Sequence, residues 1–134
     1  MTAKDFLLRA RRLQARINQL EKARQSVWAA ATATTTAPGQ GSIRSSGVSR
    51  KPEQYGEFIS ELEAEYRRLD EIKADTLRVI GQVQDNTLAT LLMAYYINGR
   101  TWEQTAVDIG YSYFRTVHDK HLQALAEVEK ILPT

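Results

Sequence analysis

The sequence predicts an all-α protein: a long N-terminal helical hairpin or coiled coil followed by a C-terminal helix-turn-helix bundle. Three observations predict it. Apolar residues recur at steps of three and four through both long segments, the spacing of a helix seam rather than a strand. Proline and glycine cluster between those segments, at Pro38, Gly39, Gly41, Gly47 and Pro52. The last 50 residues carry three shorter periodic runs, each bounded by a cap or a glycine.

The first helix is expected over residues 3–31. Its seam is Phe6, Ala10, Leu13, Ile17, Leu20 and Val27, with Arg24 as the one break in the series, and Thr2 and Asp5 suit its start. Arg9, Arg12, Arg16 and Lys22 fall opposite the seam. Residues 32–52, rich in Thr, Ser, Gly and Pro, read as a flexible linker. Glu53 is expected to open the second helix, with Pro52 at its beginning. The apolar series of that helix runs through Tyr55, Phe58, Ile59, Leu62, Tyr66, Leu69, Ile72, Leu77, Ile80 and Val83 before the helix weakens at Gly81 and residues 84–86.

Charge divides the chain in the same places. The net charge is +2, but residues 1–31 are net basic, 32–52 carry Arg44, Arg50 and Lys51 with no acid, and 53–84 hold eight acids against four bases. A basic and an acidic helix, each with a thin apolar seam, suit antiparallel pairing. Pairing within one chain and pairing between two chains, giving a homodimer, fit the sequence equally. The four expected regions are therefore a basic coiled-coil helix (1–31), the linker (32–52), an acidic coiled-coil helix (53–84) and a DNA-binding domain (85–134).

Within that last region a helix from Asn86 or Thr87 to Asn98 carries a broad apolar face of Leu88, Leu91, Leu92, Tyr95, Tyr96 and Ile97, and Asn98-Gly99 stops it. Thr101 with Gln104 forms a capping box for a second helix, which ends at Gly110. Ser112 is the N-cap of a third, running to about Leu132 with a stripe of Val117, Ala124, Leu125, Val128 and Ile131. A short helix, a glycine turn and a serine-capped helix have the spacing of a helix-turn-helix. Such a turn aims the start of the last helix into the major groove. Thr101, Tyr111, Ser112, Tyr113, Phe114, Arg115, Thr116, His118, Asp119 and Lys120 are the expected DNA-contacting residues. Arg115 has the chemistry for a bidentate contact to guanine, and Lys120 suits a phosphate.

The segment Leu91–Leu125 resembles the C-terminal region of phage-encoded sigma-factor-like regulators, the family DUF1492. That family is related to the ArpU/RinA-type late transcription activators and is similar to region 4 of sigma-70 factors. The matching positions are Tyr96, Gly99, Thr101, Trp102, Glu103, Ala106, Gly110, Tyr111, Ser112, Val117, His121, Ala124 and Leu125. The resemblance implies a phage or prophage regulator that binds double-stranded promoter DNA together with host RNA polymerase, in the bacterial cytoplasm. Thr105 departs from the pattern, which places a large aliphatic residue there, as does Lys120, where the pattern prefers leucine. Tyr113, Phe114 and Asp119 replace positions that the pattern often fills with arginine or other polar residues.

Other readings have less support. No cysteine, phosphate loop or nucleophile elbow is present, so no enzymatic activity and no cofactor are expected. His118 and His121 are the only histidines and stand three apart without a third donor, so no metal site is expected. Trp102 is expected in the core, and His121 at its edge, hydrogen-bonded. No apolar run approaches the ~20 residues of a membrane span, and residues 1–10 lack the pattern of a secretory signal. Two alternatives of other classes remain: a small-terminase-like DNA-packaging component, and a helical protein-interaction module that does not bind DNA.

Overall fold

A computed structural model describes residues 1–33, 41–111 and 114–133. It is all-helical: α1 (Ala3–Ala33), α2 (Gly41–Ile80), α3 (Asn86–Leu92) extended by a π-helical stretch (Met93–Ile97), α4 (Trp102–Asp108) and α5 (Phe114–Ile131). No helix among the described residues is long and apolar enough to cross a membrane.

α2 begins at Gly41 rather than at Glu53. Of the linker expected over 32–52, residues 34–40 lie outside the described residues, 32–33 end α1 and 41–52 are helical. Adding a residue to an existing helix is far less costly than nucleating one, so the acid-rich helix extends backward through a segment with poor propensity of its own. Pro52 consequently lies within the helix and not at its first turn.

The fold divides into two compact units, residues 14–68 and residues 1–13 with 69–134. In the first unit Ile17 and Leu62 are buried, with Leu20, Val27, Phe58 and Ile59 half-buried. The Tyr66 hydroxyl donates to Glu21 at 2.8 Å, Arg24 Nη1 donates to the Tyr55 hydroxyl at 3.1 Å, and the Trp28 and Tyr55 rings lie 5.2 Å apart. These contacts run in opposite order along the two helices, so the segments are antiparallel. Arg24, the break in the apolar series, also donates to Glu21 at 2.9 Å. The hydrogen bonds from Arg24 and then Tyr66 hold the Glu21 carboxyl below its ordinary range.

The second unit has one continuous core. It joins Ala3, Phe6 and Leu7 of α1, Ile80 of α2 and Val83 to Leu88, Leu91 and Leu92 of α3, Tyr96, Ala106 of α4, and Val117, Ala124 and Val128 of α5. The boundary expected at 84/85 is therefore not where the contacts divide the chain. Both long helices give an end to the C-terminal core because Ala3 and Leu7 add a second apolar stripe beside the seam, and a helix wide in apolar surface packs against more than one neighbour. In α2, Leu77 is 41% exposed and the adjacent Thr76 is fully buried. The Thr76 hydroxyl donates to the Ile72 carbonyl at 2.7 Å, which satisfies it inside the core. Arg9 is not simply a solvated residue opposite the seam: its guanidinium lies over the Phe6 ring and bonds Asp75 at 2.8 Å.

α2 ends at Ile80, and Asp85 caps α3 by accepting from the Leu88 N–H at 3.0 Å. The helix expected to run evenly to Asn98 widens at Met93, where the Asn98 N–H reaches the Met93 carbonyl at 2.9 Å, five residues back. The wider turn lets the consecutive residues Tyr95, Tyr96 and Ile97 all touch the core. Gly99 follows with φ +69°, a conformation that a side chain would strain.

Candidate nucleic-acid interface

The elements expected to read DNA are α4, the turn after it and the start of α5. The Thr101 hydroxyl accepts from the Gln104 N–H at 3.1 Å, and the Gln104 side chain accepts from the Thr101 N–H at 3.0 Å, a complete capping box. Arg100 spans the short helix to Asp108 through two bonds of 2.9 and 3.2 Å.

Glycine then redirects the chain. Gly110 has φ +80°. Its N–H bonds the Val107 carbonyl at 3.1 Å, and the Tyr111 N–H bonds the Ala106 carbonyl at 2.9 Å. This is a Schellman motif, which satisfies the last carbonyls of α4 and needs a left-handed residue at the glycine. Tyr111 packs against the core, as the residue after such a glycine commonly does.

α5 is oriented by its inner row. Val117, His121, Ala124 and Val128 are all buried, at helical spacing. Arg115, His118, Asp119 and Leu122 consequently face solvent. Among the expected contact residues, Thr101 is exposed at the N-cap of α4 and Thr116 is half-buried. Lys120 is half-buried, with its ammonium 6.0 Å from the Tyr111 ring. Ser112 and Tyr113 lie outside the described residues, and Phe114 enters only as the first residue of α5. The structure thus brings Arg115, His118 and Asp119 onto one solvent-facing surface and holds Tyr111 against the core.

Beneath this surface lies an aromatic cluster. Tyr95 and Trp102 stack at 3.7 Å and 14°. Trp102 meets the His121 ring edge-on at 4.6 Å. The Tyr96 hydroxyl lies 2.6 Å from His121 Nε2. Burial pushes the His121 pKa down to about 4, with Lys4 and His118 adding to the effect, so the ring is neutral at pH 7. Burial, and then Tyr95, raises the Tyr96 pKa well above its ordinary value. A Tyr96 hydroxyl that donates to Nε2 leaves the ring proton on Nδ1. His121, expected at the edge of the core, is buried at 7% exposure and hydrogen-bonded, and Trp102, expected in the core, is half-buried and packed against it.

Sequence reasoning missed Arg11. Its guanidinium lies 4.0 Å above the Tyr95 ring and donates to the Tyr95 and Arg100 carbonyls at 2.6 and 3.2 Å. Nothing local distinguishes it from Arg12 beside it, which is exposed.

Thr105 is fully buried, and its hydroxyl has no hydrogen-bond partner. Replacing it by valine keeps the shape and removes an unsatisfied polar atom, so Thr105→Val is expected to raise stability by about 1 kcal/mol. Urea denaturation of both proteins checks this, and a less stable variant contradicts it.

Among the described residues no three acidic or histidine side chains converge as a metal site requires. No family model, curated protein or solved structure matches the chain.

Proposed function

We propose that the chain is a sequence-specific regulator of phage or prophage transcription, with the first turns of α5 reading double-stranded DNA in the major groove and host RNA polymerase as its working partner. The observation that carries this reading is the Schellman turn at Gly110. It leads from a short capped helix into a helix whose Val117 and His121 point inward while Arg115, His118 and Asp119 point out. That is the arrangement by which a helix-turn-helix presents a recognition helix. Arg115 supplies the bidentate chemistry that selects guanine. Few cations accompany it on α5, so phosphate attraction from this helix is weak. The exposed Arg12, Arg16 and Lys22 of α1 are further cations available to an anionic partner.

A second reading is favoured by two exposed apolar side chains on the same helix pair, Val107 at 76% and Leu122 at 53%. They suit a contact to another protein, and a module that binds only protein would use them without touching DNA.

Fluorescence anisotropy with fragments from around the chain's own gene, across a salt series, separates the two. Sequence-preferring binding that weakens steeply with salt supports DNA reading. Absence of binding to every fragment at low salt, with or without polymerase, removes it. Arg115 is exposed and has no partner among the described residues, so Arg115→Ala is expected to cost about 1–3 kcal/mol of specific binding with an unchanged melting temperature. Full affinity and unchanged sequence preference in that variant would remove Arg115 from the interface.

A further inference from the structure

Between the start of α1, α4 and α5 lies a cavity of about 330 Å³, lined by Lys4, Trp102, His118, His121, Leu122 and Leu125. Its volume is at the lower end of the range for small-ligand pockets. The indole and the two leucines make its walls apolar. Every polar lining residue is a cation or a donor, and no acid is among them.

Two of those polar groups lack partners. Lys4 makes no ion pair or hydrogen bond among the described residues. His121 is only 7% exposed, and Tyr96 occupies one ring nitrogen. The other, Nδ1, has no hydrogen-bond partner among the described residues and carries the proton when Tyr96 donates to Nε2. An anionic oxygen in the cavity would give that nitrogen an acceptor. The ring cannot turn away, because it is gripped by the Tyr96 hydroxyl and the Trp102 edge, and Trp102 is itself stacked on Tyr95.

We propose that this cavity binds a small amphiphilic carboxylate. The hydrocarbon part lies against Trp102, Leu122 and Leu125, and the carboxylate takes the Lys4 ammonium and the His121 Nδ1–H. One permanent cation and one neutral donor match a monoanion rather than a phosphate dianion. The apolar walls require hydrocarbon beside the charge, and the volume limits the ligand to on the order of ten heavy atoms. This site does not depend on whether α5 reads DNA.

The test is a titration of the full chain with 3-phenylpropionate, following the His118, His121 and Trp102 ring resonances by NMR. A saturable shift of all three is expected, with a dissociation constant of about 1 mM or tighter. The neutral 3-phenylpropionamide is expected to bind about tenfold more weakly, because it brings no charge to Lys4. Lys4→Gln is expected to weaken the acid by a similar factor and leave the amide unchanged. Equal affinity for acid and amide overturns the proposal independently of any variant, and so does a shift confined to Trp28. A tripeptide ending in phenylalanine is the arm for a chain-terminal carboxylate. Tighter binding of that peptide than of the free acid overturns the assignment to a small molecule.

Discussion

Replacing Arg11 by methionine lowers the stability of the protein by about 2–5 kcal/mol. The figure combines hydrogen bonds from a charged donor, about 1.5–3 kcal/mol, with a cation above an aromatic face, about 0.5–2 kcal/mol. The guanidinium closes the end of the π-helical stretch, where the Tyr95 and Arg100 carbonyls accept from it at 2.6 and 3.2 Å. Methionine retains much of the aliphatic stem, so the loss reports on the donors. With total stabilities of about 5–15 kcal/mol, a change of this size is a large fraction of the whole. Thermal and urea denaturation measure it. Arg11→Lys keeps the charge but not the planar fork, and is expected to fall between the two. A methionine variant as stable as the parent would show that the carbonyls are equally well served by water.

Stability falls as the pH drops below about 6.5, with the loss from this group complete near pH 4. The cause is His121, whose pKa in the folded protein is pushed down to about 4 by burial. The unfolded chain takes up the proton near the ordinary histidine pKa of about 6.5. Between these values the unfolded state binds more protons than the folded one, so acid favours unfolding. The loss from this group is about 2 kcal/mol at pH 5 and approaches about 3 kcal/mol at the lower end. The groups that bear on the ring are Lys4 from α1, His118 from its own helix and Tyr95 and Tyr96 from the π-helical stretch, with the uncharged Trp102 from α4. None is an acid that would hold the protonated ring. Urea midpoints at pH 7 and pH 5 are expected to differ clearly in the parent and little in His121→Gln. The same pH dependence in both proteins would assign the effect elsewhere.

The local parts of the fold are legible in the amino-acid sequence because their causes are local. The steps of three and four from Phe6 to Ile17 place Phe6, Ala10, Leu13 and Ile17 inside, and all four are buried. Thr101 and Gln104 specify their own capping box. Gly110 specifies a left-handed turn, since a side chain there would be strained. The stripe on α5 is legible too, with His121 filling the gap between Val117 and Ala124.

The rest depends on partners far away in the chain, and no local pattern encodes those. Arg9 and Arg12 look alike in sequence, yet one meets Asp75 and the other meets solvent. Leu77 loses its inward place to Thr76, because the neighbours of α2 and not its hydropathy set which face turns in. The π-helical stretch has no sequence signal at Met93. It arises where three consecutive residues gain more from packing than the backbone loses in its wider turn. The amino-acid sequence by itself determined the all-helical class, the caps and the turn that directs α5. Only the tertiary structure decided which charges are paired, where the core ends and which donors are left facing a cavity, because burial and electrostatics act between residues that the chain brings together only when it folds.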